Sequence, residues 1–175
     1  GHNEAVGRGL VGTDAELEDA IRSHPEFHLF KLKLTGTNDL ERVQLARECT
    51  AYPLAVDVNG GWKNVETALP LIQQFKELGV ILVEQPFAKD ALPLYAELKD
   101  QSALPIIADV SITTLHELEE RSEYFHGVNI KLMKCPGLNE ALAMIRLCKE
   151  RQLKIMIGCM SESSCGVGAA AALSP

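Results

Sequence analysis

Val80-Ile81-Leu82-Val83-Glu84-Gln85-Pro86 is a continuous apolar run closed by a carboxylate and then by Gln-Pro. Apolar character without alternation suits a strand covered on both faces, as in a parallel sheet, rather than a half-exposed strand. The same design recurs in both directions. Toward the N-terminus stand Pro53-Leu54-Ala55-Val56-Asp57 and Phe27-His28-Leu29-Phe30-Lys31-Leu32-Lys33. Toward the C-terminus stand Leu104-Pro105-Ile106-Ile107-Ala108-Asp109, Gly127-Val128-Asn129-Ile130-Lys131 and Leu153-Lys154-Ile155-Met156-Ile157-Gly158. The strand ends fall near residues 33, 57, 84, 109, 131 and 157, at intervals of 24, 27, 25, 22 and 26. A repeat of that size holds one strand and one helix, which gives parallel strands joined by helical crossovers.

Helical patterns fill the gaps. Thr13-Asp14-Ala15-Glu16 reads as a capping box ahead of Leu17, Ala20 and Ile21. Asn38 is expected to cap a helix carrying Leu40, Val43, Leu45 and Ala46. Asn64 is expected to cap one carrying Val65, Ala68, Leu69, Ile72 and Phe75, closed by Gly79. Asp90 should cap Ala91 to Leu98, Ser111 or Thr113 should start the next helix, and Asn139 to Leu147 forms another. Pro70 marks a kink or a later start. Gly7-Arg8-Gly9-Leu10-Val11 gives no recognisable strand. A (β/α) barrel and a doubly wound open sheet both fit. The first strand end lacks a Gly-x-Gly-x-x-Gly loop, so the dinucleotide-binding version has no support.

Composition sets the class. The chain has 175 residues, 46% hydrophobic and 23% charged, as in a globular protein, and no apolar run of membrane-spanning length. Its 24 acidic against 17 basic residues give a net charge of −7, which argues against nucleic acid and anionic membranes as partners. Five cysteines, an odd number with no C-x-x-C pair, and no secretory signal at Gly1-His2-Asn3-Glu4 point to reduced thiols and a cytoplasmic protein.

The chemistry lies where the charges fall. Consecutive strands end in Lys31 and Lys33, Asp57, Glu84, Asp109 and Lys131. Active sites of barrels gather at these C-terminal strand ends. Side chains two apart share a strand face, so Lys31 points with Lys33 and Asp57 with Asn59. Lysines facing an interior need anions, and three carboxylates on successive strands repel one another unless a cation joins them. Oxygen donors of this kind suit a hard divalent ion, most naturally Mg²⁺. His24, His28, His116 and His126 fall on helices or strand starts and are read as surface residues.

Lys31-Leu32-Lys33, Asp57-Val58-Asn59, Glu84-Gln85-Pro86, Ala108-Asp109, Asn129-Ile130-Lys131-Leu132-Met133-Lys134 and Gly158-Cys159-Met160-Ser161-Glu162-Ser163, in this order, resemble the enolase superfamily. Within it they look like the muconate-lactonizing-enzyme subgroup and its dipeptide epimerases. The resemblance implies an α/β fold, a parallel (β/α) TIM-type barrel. It is incomplete here, at about six to seven βα units in a single partial domain over residues 1–175, with the capping domain absent. It implies Mg²⁺ on Asp57, Glu84 and Asp109. Lys33 and Lys131 would stand on opposite faces of the substrate α-carbon, with Lys31 beside the substrate carboxylate assisting Lys33.

The implied reaction is 1,1-proton transfer alpha to a carboxylate, most simply dipeptide epimerisation of the L-Ala-D/L-Glu type. A small-molecule carboxylate, a dipeptide, is the expected partner. An o-succinylbenzoate synthase, N-acylamino acid racemase or cycloisomerase would share these residues. A non-catalytic barrel acting as a binding or assembly module is the rival of another class. Cys159, Met160 and Glu162 are expected to touch substrate. Asn59 either orients a ligand or water or simply forms the turn before Gly60-Gly61. Lys134 is read as structural, pairing with a carboxylate or solvated.

The chain departs from the subgroup at Val110, where Asp-Glu-Ser is usual, and it stops at Ser174-Pro175, near the approach to the last barrel strand. Such a barrel takes about 250 residues, so unpaired barrel edges are expected to favour homo-oligomers.

Overall fold

The computed structural model describes residues 7–135 and 137–158. Strands and helices alternate: β1 (Gly7–Leu10), α1 (Asp14–Arg22), β2 (Leu29–Lys33), α2 (Asp39–Cys49), β3 (Leu54–Asp57), α3 (Val65–Glu77), β4 (Val80–Glu84), α4 (Leu92–Gln101), β5 (Ile106–Ala108), α5 (Leu115–Arg121), β6 (Gly127–Ile130), α6 (Leu138–Glu150) and β7 (Lys154–Ile157). The described residues divide into two compact units, one reaching to Ile106 and the other beginning at Ile107. No helix among them is long and apolar enough to cross a membrane.

In the N-terminal unit β1 pairs with β2, β2 with β3 and β3 with β4, always in parallel. All of Leu54–Asp57 is buried, as expected for a strand covered on both faces. Its core is formed by Phe30, Leu32, Val56 and Val83 from the strands and by Leu17, Val43, Ala46, Ile72, Phe75 and Leu98 from the helices. In the C-terminal unit β5 pairs with β6 and β6 with β7, again in parallel. Gly127–Ile130 is wholly buried, and Leu118, Ala141, Met144 and Cys148 supply helical core.

Strand ends stand at or within one residue of the sequence reading. The exception is β1, a strand that Gly7-Arg8-Gly9-Leu10 forms without an apolar run, by pairing Gly7–Leu10 with Leu29–Leu32. The helix starts differ more. Thr13 and Asn64 cap as expected, Thr13 within a capping box and Asn64 accepting from the Thr67 N–H at 2.9 Å. Asn38 does not cap α2 with its side chain; it takes a left-handed φ of 53°, and Asp39 bonds the preceding loop instead. Ala91 rather than Asp90 precedes α4, and Thr114 rather than Ser111 or Thr113 caps α5. The last helix begins at Leu138 behind Gly137, one residue ahead of Asn139. Pro70 lies inside a continuous α3, whose Gln74 side chain returns a bond to the Pro70 carbonyl at 3.3 Å.

Candidate active site

The register of β2, β3 and β4 aligns Lys33 with Asp57 and Asp57 with Glu84, while Lys31 lies opposite Ala55 two residues back. Period-two alternation therefore puts Lys31, Lys33, Asp57 and Glu84 on one face of the N-terminal unit. Asp57 is 6% exposed and Glu84 fully buried. Buried carboxylates persist only where a charge or hydrogen bonds compensate lost hydration. Lys31 supplies this: its Nζ stands 2.9 Å from Glu84 Oε2 and 3.5 Å from Asp57 Oδ2. The expected need of the lysine pair for anions is met at Lys31.

Lys33 differs. It is exposed, makes no ion pair among the described residues, and opens on a cleft of about 790 Å³ also lined by Thr35, Asn38, Arg42 and Asn59.

The chain turns sharply after each carboxylate. Asn59 takes a φ of 50° and donates its backbone N–H to Asp57 Oδ1 at 3.2 Å. Its side chain is exposed, and its contact with Asp57 comes from the turn itself. Gln85, directly after Glu84, takes a φ of 46°, yet is buried. The Gln85 amide donates to the Tyr95 hydroxyl at 2.7 Å and to the Phe87 carbonyl at 3.0 Å. The Tyr95 hydroxyl donates in turn to the Phe87 carbonyl and accepts from its N–H at 3.2 Å. This buried clamp was not legible in the sequence, although a Tyr on the apolar face of a helix always raises the question of what its hydroxyl bonds.

In the C-terminal unit Asp109 follows β5 and Lys131 follows β6. Asp109 is 4% exposed. Its Oδ2 is 2.9 Å from Lys131 Nζ, and its Oδ1 is 2.7 Å from Lys134 Nζ. A turn with the Lys134 N–H on the Lys131 carbonyl at 2.9 Å brings both lysines to one carboxylate. Burial pushes the Asp109 carboxyl up, but the bonds and charges of Lys134 and Lys131 outweigh it and hold its pKa below the usual value. Of the two readings of Lys134, pairing with a carboxylate is the one observed.

Gly158 leaves the room this arrangement needs: a Cβ there would lie 2.5 Å from Asn129 Oδ1 and 3.0 Å from Lys131 Cε. Val110 is exposed. Cys159, Met160 and Glu162 lie outside the described residues.

Asp57, Glu84 and Asp109 thus offer buried hard-oxygen donors, the ligand type of divalent cations such as Mg²⁺. Softer thiols are unfavoured. Burial raises the Cys148 thiol to about 11 against the opposing charge of Arg151, and burial followed by Glu140 raises Cys135.

Residues 13–175 match the family model described as enolase C-terminal domain-like. The chain is 42% identical over 149 residues to the L-Ala-D/L-Glu epimerase of Bacteroides thetaiotaomicron, across 85% of this chain and 39% of that protein. It is 39% identical over 163 residues to the L-Ala-D/L-amino acid epimerase of Maribacter sp., across 92% of this chain and 48% of that protein. The substrate-liganded structure of the L-Ala-D/L-Glu epimerase from Bacillus subtilis is similar with a TM-score of 0.87 at 28% identity, over 95% of this chain and 50% of that one. The chain spans about half, or less, of the length of these relatives.

Proposed function

The chain belongs to the enolase C-terminal domain-like family, and from that membership we propose that it carries the reaction centre of an isomerase. The reaction is metal-dependent 1,1-proton transfer at the carbon alpha to a carboxylate, on a dipeptide of the L-Ala-D/L-Glu type. The family's α/β fold, a parallel (β/α) barrel, is represented in part by these parallel strands with helical crossovers. Residues 1–175 act as one catalytic segment.

One observation carries the reading: in each unit a lysine stands on a buried carboxylate at a strand end, Lys31 on Glu84 and Lys131 on Asp109. Bringing charges into the interior is costly even when they are paired, and these pairs fall where the active sites of barrels gather.

Asp57, Glu84 and Asp109 would hold the metal, which we take to be Mg²⁺. When bound, the cation offsets negative charge that gathers on the substrate carboxylate only as the α-proton leaves. Lys33, which makes no ion pair among the described residues and lines the cleft, takes or gives the proton on one face of the α-carbon. Lys131, held by Asp109, does so on the other. Lys31 is fixed by Glu84 and Asp57 and directs its charge toward the substrate carboxylate. Each inversion moves one proton onto one lysine and one off the other, so the balance closes without a redox partner. Cys159, Met160 and Glu162 complete the substrate contacts. We take the setting to be the cytoplasm.

Incubation with L-Ala-L-Glu and Mg²⁺ in D₂O, followed by NMR, tests the reading. Deuterium should enter at the α-carbon of the C-terminal residue as the D-epimer accumulates. A panel of dipeptides showing no exchange while metal is bound would overturn it and favour a non-catalytic barrel.

A further inference from the structure

Resting on that reading, we propose that Asp39 is a positioning residue for Lys33, acting through a carboxylate clamp between the loops that follow β2 and β3. Lys31 and Lys131 are fixed at their tips by ion pairs. Lys33 makes none among the described residues, so its placement comes from the backbone that carries it.

That backbone is gripped from behind. Asp39 is 5% exposed, and its Oδ1 accepts the N–H groups of Thr35 at 3.2 Å and Gly36 at 3.1 Å. Its Oδ2 accepts the indole Nε1–H of Trp62 at 2.8 Å. Trp62 lies in the loop after Asp57 and is itself buried.

A helix start does not require this. Asn64 and Thr114 cap their helices with side chains that remain accessible to solvent. A buried carboxylate is retained only if its bonds return what desolvation takes, and three N–H donors on one carboxylate do so.

The two loops meet closely where the clamp closes. A Cβ at Gly36 would come within 2.9 Å of the Gly61 carbonyl oxygen. Main-chain bonds extend the contact: the Leu34 N–H donates to the Asp57 carbonyl at 2.8 Å, the Val58 N–H to the Glu84 carbonyl at 2.9 Å, and the Trp62 N–H to the Pro86 carbonyl at 3.0 Å. Asp39 is the side-chain tie that locks the loop leaving Lys33 to this ladder.

The test uses Asp39→Asn and Trp62→Phe, with Lys33→Ala to identify the epimer whose proton Lys33 takes. Deuterium incorporation is measured separately from the L- and D-configured dipeptide. Misplacing a proton-transfer group by about an ångström costs on the order of a hundredfold. Exchange from the Lys33-facing epimer should therefore fall about tenfold to a hundredfold, and exchange with retention from the other should stay within about twofold. The double variant should be no worse than the poorer single one, since both remove one bond.

A purely structural role would slow both epimers alike. That result, or no loss in either, overturns the assignment. A wild-type protein that exchanges neither epimer overturns the functional reading, and the role of Asp39 falls with it. Trp62 is the single tryptophan, so its indole ¹H–¹⁵N resonance reports the clamp without catalysis. In Asp39→Asn the resonance should move and exchange faster with solvent; an unchanged signal overturns the clamp.

Discussion

Lys134 Nζ stands 2.7 Å from Asp109 Oδ1, leaving the other oxygen, Oδ2, to Lys131 at 2.9 Å. One lysine thus fixes the carboxylate that orients the other. Lys134→Met should lower the epimerisation rate about 10- to 100-fold, the usual loss when a partner that orients a ligand is removed. Lys134→Arg should recover part of it. Steady-state rates alongside a thermal melt decide the matter, and a wild-type rate in the Met variant would refute the role.

Asp57 reaches Lys31 at 3.5 Å, a looser hold than the 2.9 Å of Glu84, and it is the carboxylate an added cation can most readily take over. Mg²⁺ at about a hundred times its Kd should stabilise the wild-type protein by about 2.7 kcal/mol. Asp57→Asn should abolish that stabilisation. An equal rise in Tm with Mg²⁺ in both proteins would remove Asp57 from the ligand set.

Tyr95→Phe deletes the hydroxyl that receives the Gln85 amide at 2.7 Å and the Phe87 N–H at 3.2 Å. Two buried donors lose an acceptor, at a cost of about 1–3 kcal/mol. Urea denaturation should show a lower midpoint with an unchanged slope. A midpoint at the wild-type value would mean the clamp contributes nothing to stability.

Cys148 binds its proton more tightly folded than unfolded, because burial raises the thiol from 9.0 to about 11. The native state then holds more protons than the unfolded state between these values, so stability must fall as pH rises through that window. Below about pH 9 the contribution is fully present. Denaturation midpoints measured from pH 8 to 11 should show this slope in the wild type and lose most of it in Cys148→Ala. Identical slopes would contradict it.

Most of the fold could be read directly, because buried parallel strands such as Leu54–Asp57 announce themselves as unbroken apolar runs ending in charge. β1 could not, since Gly7-Arg8-Gly9-Leu10 is a strand only through pairing with β2. Asn38 misled for a related reason. It is a good cap by type, but the adjacent Asp39 has stronger demands on the same loop, and those demands come from Trp62, far along the chain. Lysines and carboxylates of the candidate site were visible one strand at a time, whereas the pairing of Lys134 with Asp109 depends on a turn that carries no periodic signal.

The alternation of β2, with Lys31 and Lys33 on one face and Phe30 and Leu32 buried on the other, restricts how this chain can vary by heredity. Inserting or deleting one residue between Leu29 and Lys33 would exchange the faces and turn leucine and phenylalanine toward the carboxylates. Loops and helices impose no such parity. Descendants of this sequence should therefore differ in length between strands and only by substitution within them, so that the reach of the protein toward new molecules can drift while the spacing of its charges stays fixed.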